Sequence, residues 1–522
     1  MRFPPAALMV ISLVLGACAG SWVDDGARRH AAEQGPGVPA SPPASGGPPS
    51  TAAADVPTVS FVEGDCPMPV EPGDSPRLRC GTLDVPVDRA DLTGPRAAVA
   101  VAIVESAAPT PSADPIVYLH GGPGGLALSD YIEWVFPEHP LLSNRDLILV
   151  DQRGSGWSTP SLNCPAAEDS NNPVSELVDC AEALADDGIE LEHFTTHDIA
   201  ADIVDLRGAL GIDQWNLYGV SYGTRVALTM MELDPEGVRA AVLDSPYPPV
   251  VDAYQEQAAN GRAAIDAVLS SCADDPRCGG AFGDLRQPLD QLLADLAEDP
   301  VPTVLEGSTD VPKLLVDDAV FASALFGSLY DRFNIPDVPL ATQSAIDGDL
   351  GLALELLGVG EGFRPRQEPD DDYESLFDAE LAFWAPECAE EVELADRDAV
   401  TAATDADDPI EVALLDEVES AFAVCDRLDV SPADPAGQGA VVADAPTLIL
   451  VGQFDPITPP VWAAVAAESL TEAAVIEVVG SGHAPSFEQC PRDAMVAFFD
   501  DNSLPPTVEC LADQQALPFS IE

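Results

Sequence analysis

The feature that most constrains this chain is a set of short, almost unbroken apolar runs: Ile116-Val117-Tyr118-Leu119, Leu147-Ile148-Leu149-Val150 and Thr447-Leu448-Ile449-Leu450-Val451. A strand with one face in water alternates apolar and polar residues. A strand that is apolar on both faces must be covered on both, as in a parallel sheet between two layers of helices. Further strand candidates are Ala97–Val104, Trp215–Tyr218, Ala240–Leu243 and Val475–Val479, and the stretches between them read as amphipathic helices, a βαβ pattern. Between about Val250 and Val441 the pattern changes to helical segments (Ala258–Ser271, Leu285–Leu296, Ala341–Leu357, Ser375–Trp384 and Ile410–Ala423) separated by acidic, Pro-rich loops. The strand pattern then returns, and a last helix is expected at Arg492–Asp500. At 522 residues the chain exceeds what a single core supports. A core formed by residues 61–250 and 441–522, interrupted by a helical cap at 251–440, accounts for the length. The expected fold class is α/β, a mostly parallel central sheet with that cap inserted.

The N-terminus reads as an export signal. After Met1 and Arg2 comes the apolar stretch Ala6–Leu15, too short to span a bilayer and of the length of a signal-peptide core. It ends in Leu15-Gly16-Ala17-Cys18, which resembles the bacterial lipobox, so residues 1–17 are expected to be a lipoprotein signal peptide and Cys18 the acylated residue. Residues 18–60, rich in Pro, Gly, Ala and Ser, read as a tether. Of the eleven cysteines, setting Cys18 aside leaves ten, an even number in an exported chain, which suits a disulfide framework. Pairing sequence neighbours gives Cys66–Cys80, Cys164–Cys180, Cys272–Cys278, Cys388–Cys425 and Cys490–Cys510.

Charge excludes some partners. Asp and Glu total 90 against 22 Lys and Arg, a net charge of −68, and Lys313 is the sole lysine. A field of that sign repels phosphate backbones, so nucleic acid is not an expected partner. The excess is spread along the chain, as on a solvated acidic surface. Adaptation to high salt is the sharper reading of the same composition.

The chemistry is carried by Gly219-Val220-Ser221-Tyr222-Gly223, a G-x-S-x-G placed between the strand Trp215–Tyr218 and a helical pattern from Thr224. The glycines allow a sharp strand-to-helix turn that lifts the Ser221 hydroxyl above the sheet edge, the nucleophile elbow of α/β-hydrolases. In the order nucleophile, acid, base, the histidine lies C-terminal to the serine, and of the six histidines only His483 does. It follows a strand, in Gly480-Ser481-Gly482-His483. The acid is expected at Asp455, after the strand Thr447–Val451, where it would orient His483 and stabilise its imidazolium. Asp244, after the strand Ala240–Leu243, is the competing choice. The cluster His120-Gly121-Gly122-Pro123-Gly124-Gly125 suits an oxyanion hole, with Gly122 and the amide of Tyr222 as donors. It matches neither of the phosphate-binding glycine patterns, and His120 is expected to brace the loop.

These segments, together with Asp151-Gln152-Arg153-Gly154-Ser155-Gly156-Trp157-Ser158, resemble the proline iminopeptidase and tripeptidyl aminopeptidase group of α/β-hydrolases, in particular secreted actinobacterial members that include lipoproteins. The resemblance runs from about Phe61 to the C-terminus. It implies that Ser221, Asp455 and His483 form a triad under a cap whose acidic residues bind the substrate's free α-amino group. Glu390, two positions after Cys388, resembles a recurrent acidic position of the group and is the expected amine-binding residue, with Glu387 and Glu391 as alternatives. No Trp-Glu pairing of the kind expected in enzymes that release single prolines is found, which leans toward the tripeptidyl type.

The expected function is thus that of an exported, lipid-anchored serine exopeptidase. It would remove short N-terminal peptides through an acyl-enzyme, acting on peptides with a free N-terminus and needing no cofactor or metal. Its location would be the outer face of the cell membrane. A carboxylesterase would use the same triad, and a non-catalytic envelope-binding lipoprotein on the same fold is a further alternative.

Overall fold

A computed structural model of the chain describes residues 59–69, 77–129, 139–168, 170, 172–304, 314–359 and 380–522. The expected signal peptide, Cys18, Lys313 and nearly all of the expected tether lie outside these residues. Nine strands form one sheet: β1 Ser60–Gly64, β2 Leu78–Pro86, β3 Arg96–Val104, β4 Ile116–Leu119, β5 Leu147–Val150, β6 Trp215–Val220, β7 Val238–Asp244, β8 Thr447–Gly452 and β9 Ala473–Val478. Their order is β1-β2-β3-β5-β4-β6-β7-β8-β9. The six strands from β5 to β9 are mutually parallel, while β1, β2 and β3 join as an antiparallel extension. This is the α/β-hydrolase arrangement, a mostly parallel sheet covered by helices.

The apolar runs behave as their composition requires. In β4, Val117 and Leu119 enter one apolar layer while Ile116 and Tyr118 enter the layer on the opposite face. The first layer is closed by helices α1 Pro173–Asp186, α2 Thr196–Leu210 and α3 Tyr222–Leu233. β1 and β2 escape a search for apolar runs. β1 is a largely exposed edge, and β2 alternates buried Cys80, Leu83 and Val85 with Arg79, Thr82 and Asp84.

Between β7 and β8 the chain builds helices with an apolar core of their own. α4 Ala253–Asp274, α5 Asp318–Ser328 and α6 Pro409–Leu428 contribute Ile265 and Leu269, Phe321 and Phe326, and Ile410 and Leu414 to it. The expected helix Ala341–Leu357 is instead two helices, Val338–Ile346 and Leu350–Leu356, broken where Gly348 takes φ +93°. Of the expected helix Ser375–Trp384, the described part is Glu380–Pro386. α5 is not legible as an amphipathic helix because it is buried on nearly every side and has no polar stripe to reveal its period. After β8 come α7 Pro460–Ser469 and, beyond β9, α8 Gln489–Asp501, whose Phe498 and Phe499 seal the second face of the sheet.

All five neighbour-paired disulfides are present. Cys388–Cys425 closes the longest loop, with a sequence separation of 37, and fixes the turn Glu387–Val392 to α6. By loop entropy its loss in Cys388→Ala/Cys425→Ala lowers stability by about 3–4 kcal/mol. Equilibrium denaturation of the folded, oxidised proteins measures this, and an unchanged midpoint contradicts it.

Candidate active site

The strand order reverses at β4, which lies between β5 and β6, and the crevice that such a reversal opens at the carboxyl ends of the strands is where ligands bind in sheets of this kind. The loops after β4 and β6 meet there. Ser221 sits between the end of β6 and the start of α3 with φ 55° and ψ −126°, a conformation costly for a side-chain-bearing residue. Its amide donates to the Asp244 carbonyl at 2.9 Å, and its carbonyl accepts from the amide and hydroxyl of Thr224 at 2.8 and 2.6 Å. A side chain at Gly223 would collide with the Leu119 carbonyl, so the glycine is what lets the elbow lie against β4. Gly121 is also closely packed, since a Cβ there would stand 2.8 Å from the Ser221 Cβ.

The glycine loop is thereby pressed against the serine. Gly122, with φ +114°, lines a cavity together with Ser221, and Tyr222 opens α3, where a helix leaves its first amides unpaired. The His120 ring packs over Gly125, and Gln152 donates to the His120 carbonyl at 3.0 Å. The segment Asp151–Ser158 braces this region. Asp151 accepts from the amides of Leu128 and Trp157, and the buried Arg153 pairs with Asp202 at 2.6 Å while donating to the carbonyls of Val87 and His193.

His483 and Asp455 arrive from the loops after β9 and β8. Nδ1 of His483 lies 2.9 Å from Oδ2 of Asp455, with both side chains almost wholly buried. Asp455 also accepts from the amides of Ile457 and Thr458 and from the Thr458 hydroxyl. Burial alone would lower the His483 pKa, but the charge and hydrogen bond of Asp455 outweigh it and hold the imidazole above its ordinary value. Burial works against ionised Asp455 too, and His483 together with hydrogen bonds from Thr458 and Ser245 holds that carboxyl below its ordinary value. Nε2, the ring nitrogen turned from Asp455, is buried without a hydrogen-bond partner among the described residues. Tyr330, whose ring centre is 5.1 Å from that of His483, and Thr458, whose hydroxyl lies 3.1 Å from Nδ1, both line the cavity with Ser221. The competing acid Asp244 instead accepts from the Ser486 amide at 3.0 Å.

The cavity contains about 1000 Å³ of space, part of it open to solvent. Tyr247, Tyr254, Phe383, Trp384 and Trp462 give it aromatic walls, and the carboxyls of Glu387 and Glu417 stand among them. Glu390 does not line it. Its oxygens accept from the amide and hydroxyl of Thr196 at 2.5 and 2.6 Å, and Arg225 lies 3.4 Å away, so this carboxylate ties the cap turn to the start of α2. Glu391 pairs with Arg225 at 2.6 Å. Glu387 accepts from the Tyr254 hydroxyl at 3.0 Å, and burial, reinforced by Glu391, pushes its pKa up to about 8.

Glu417, Thr458, Ser245 and Tyr330 were not expected at the site. Glu417 carried a signal: it falls on the apolar stripe of α6 with Ile410, Ala413, Leu414, Val418 and Ala421, where a charged residue is out of place. Ser323 and Gln257 donate to it at 2.8 and 3.2 Å, and burial raises its pKa to about 7. The folded protein therefore keeps a proton that the unfolded chain releases above its ordinary value of 4.5. The stability this gives is complete below that value and is lost as pH rises through about 7. Glu417→Gln removes the loss, so the variant melts above wild type at about pH 8 and level with it at about pH 4. Thermal melts across this range measure the difference, and a gap independent of pH contradicts the assignment.

The elbow, the oriented histidine and the glycine loop at the strand reversal make this protein an α/β-hydrolase. The chain matches the family described as alpha/beta hydrolase fold over residues 114–265 and that described as TAP-like protein over residues 413–510. It is 33% identical over 133 residues to a proline iminopeptidase of Xylella fastidiosa, covering 26% of this chain and 32% of that protein. It is 28% identical over 217 residues to the serine protease Hip1 of Mycobacterium bovis, covering 37% and 41%. It is also 28% identical to carboxylesterase B of Mycobacterium tuberculosis over 471 residues, covering 82% and 85%. The first two matches span only a third to two fifths of those relatives. The chain thus carries an α/β-hydrolase domain and a TAP-like segment, and its relatives include proteins named as a proline iminopeptidase, a serine protease and a carboxylesterase.

Proposed function

We propose that the protein is a serine aminopeptidase of the cell envelope that removes short N-terminal peptides. The observation that carries this reading is the pair of buried carboxyls, Glu387 and Glu417, in an aromatic cavity that opens on Ser221. A buried carboxylate facing a substrate ammonium forms a charge-assisted hydrogen bond and rejects a chain without that charge. Such a site measures the distance from the N-terminus to the scissile bond. The resemblance to a proline iminopeptidase and a serine protease supports the same reaction class.

In this mechanism Ser221 Oγ attacks the scissile carbonyl while His483 Nε2 takes its proton, and Asp455 stabilises the resulting imidazolium. The amides of Gly122 and Tyr222 receive the oxyanion. His483 then gives its proton to the leaving amine, and water attacks the acyl-enzyme by the same route in reverse. The amine-binding role proposed here falls to Glu387, with Glu417 beside it, rather than to Glu390, whose oxygens are already occupied.

Glu387→Gln is expected to raise KM for free peptide chromogens by about tenfold or more, the scale of one charge-assisted contact, with little change for a simple ester. Free and acetylated mono-, di- and tripeptide substrates provide the measurement. Equal cleavage of blocked and free chains would favour carboxylesterase action, the second reading, which the long similarity to carboxylesterase B supports.

The envelope location rests on Leu15-Gly16-Ala17-Cys18 and on five disulfides, which persist in oxidising compartments. Cys18→Ala should abolish fatty-acid labelling and move the protein from the membrane fraction to the medium. Unchanged labelling of the variant would contradict lipidation at Cys18.

A further inference from the structure

The chemistry proposed above leaves unused a buried carboxyl that stands between the strands leading to two members of the triad. Asp244 ends β7, paired with Val220 of β6 on one side and Leu450 of β8 on the other, so it stands between the strand that delivers Ser221 and the strand that leads to Asp455. Its main chain already serves the nucleophile, for its carbonyl accepts the Ser221 amide. Its side chain is fully buried: Oδ2 accepts from the amide of Ser486, three residues beyond His483, while Oδ1 has no hydrogen-bond partner among the described residues. Ser245 reaches the same loop. It holds φ 54°, its hydroxyl accepts from the Ala484 amide at 2.9 Å and donates to Asp455. The His483 loop is thus gripped at Ala484 and Ser486 by two consecutive residues of β7's end.

An unpartnered buried oxygen is expensive unless it serves a purpose. Among the described residues no arginine is paired with Asp244. The charged groups acting on it are His483 and Asp455, and the Tyr218 phenol meets the Ser486 hydroxyl at 2.5 Å. Burial pushes the Asp244 carboxyl up to about 7, with the Asp455 charge adding to the rise and an imidazolium on His483 opposing it. An Asp244 anion in turn raises the His483 pKa. The two groups therefore favour the charged pair together.

We propose that Asp244 is a positioning residue of the active site: it fixes the His483 loop through the Ser486 amide and, when ionised, stabilises the imidazolium that forms on His483 during acyl transfer. Asp455 orients the ring and Asp244 supplies a second, movable charge. Proton uptake by Asp244 withdraws that charge and weakens His483 as a base. This inference rests on Ser221, His483 and Asp455 acting as proposed, but not on any choice of substrate.

The test is the pH profile for acylation of Ser221 by an activated ester and by a fluorophosphonate, in wild type and Asp244→Asn, which keeps an acceptor for the Ser486 amide. The variant's acidic limb is expected to move down by about half a pH unit or more, because His483 loses a neighbouring anion. Its plateau is expected to fall about three- to tenfold. A plateau lowered with the limb unmoved would make Asp244 merely structural and overturn the proposal. A wild-type protein that never acylates at Ser221 would overturn both the proposal and the triad reading beneath it. Should Asp244→Asn not fold, the ¹⁵N shift of His483 Nε2 in the wild-type protein decides instead, two inflections with pH supporting the proposal and a single one overturning it.

Discussion

The backbone of Ser221 is the constraint on which the rest of the site depends. A side-chain-bearing residue at φ 55° persists only where its surroundings over-determine it, and here they do so from three sides. β7 takes the amide through Asp244, Thr224 takes the carbonyl, and the close stacking of Gly121 and Gly223 on their neighbours leaves the turn no room to relax. Once the elbow is fixed, the first amides of α3 and the glycine loop face the serine without further adjustment. The strain is located where a rigid, accessible hydroxyl is useful, and the hydrogen bonds holding it come from the end of β7 and the first turn of α3.

The cap is tied to that elbow by charge. Arg225, one turn into α3 from Ser221, is buried between Glu390 and Glu391 of the cap turn, and its guanidinium lies 4.9 Å from the centre of the Tyr247 ring, which forms part of the cavity wall. Glu390 passes the connection on to Thr196, and the Thr196 hydroxyl meets the Tyr222 phenol at 2.8 Å. Removing either sign of such a buried pair strands the other, so the network holds cap and core in one geometry more firmly than its net energy suggests. On the opposite wall the Tyr330 carbonyl accepts the His483 amide, giving the cap a second attachment, on the base. Nucleophile and base are each fastened to the helices that roof the cavity.

How much of this was legible in the sequence follows from physical type. The apolar runs located the central strands because burial on both faces leaves no alternative composition, and the order of Ser221, Asp455 and His483 followed from where those strands end. α5 was hidden because a helix buried on nearly all sides has no period, and β1 because an exposed edge has no apolar run. Two Asp residues each followed a strand. Only the fold distinguishes them, since the loop after β8 brings Asp455 to Nδ1 while the end of β7 turns Asp244 toward Ser486. Glu390 stands out by its resemblance to a recurrent acidic position two after a cysteine, and position along the chain does not report which way a side chain points within a helical turn. Three glutamates share that turn, and the structure directs Glu387 to the cavity and Glu390 and Glu391 to Arg225.

The chain's acidity separates along the same line. Most of the 90 carboxyl residues need no explanation beyond hydration, which is why composition alone could not single out a binding group. Among the described residues, Asp244, Glu387 and Glu417 are buried without a close ion-pair partner, and burial has pushed each toward its neutral form. A cation entering the cavity favours the ionised form of Glu387 and Glu417, and its attraction to that anion is screened far less than its attraction to a carboxylate in water. Discrimination therefore comes from the few carboxyls that the fold has removed from solvent. The large surface charge can draw cationic ligands from a distance, but it cannot distinguish one amine from another.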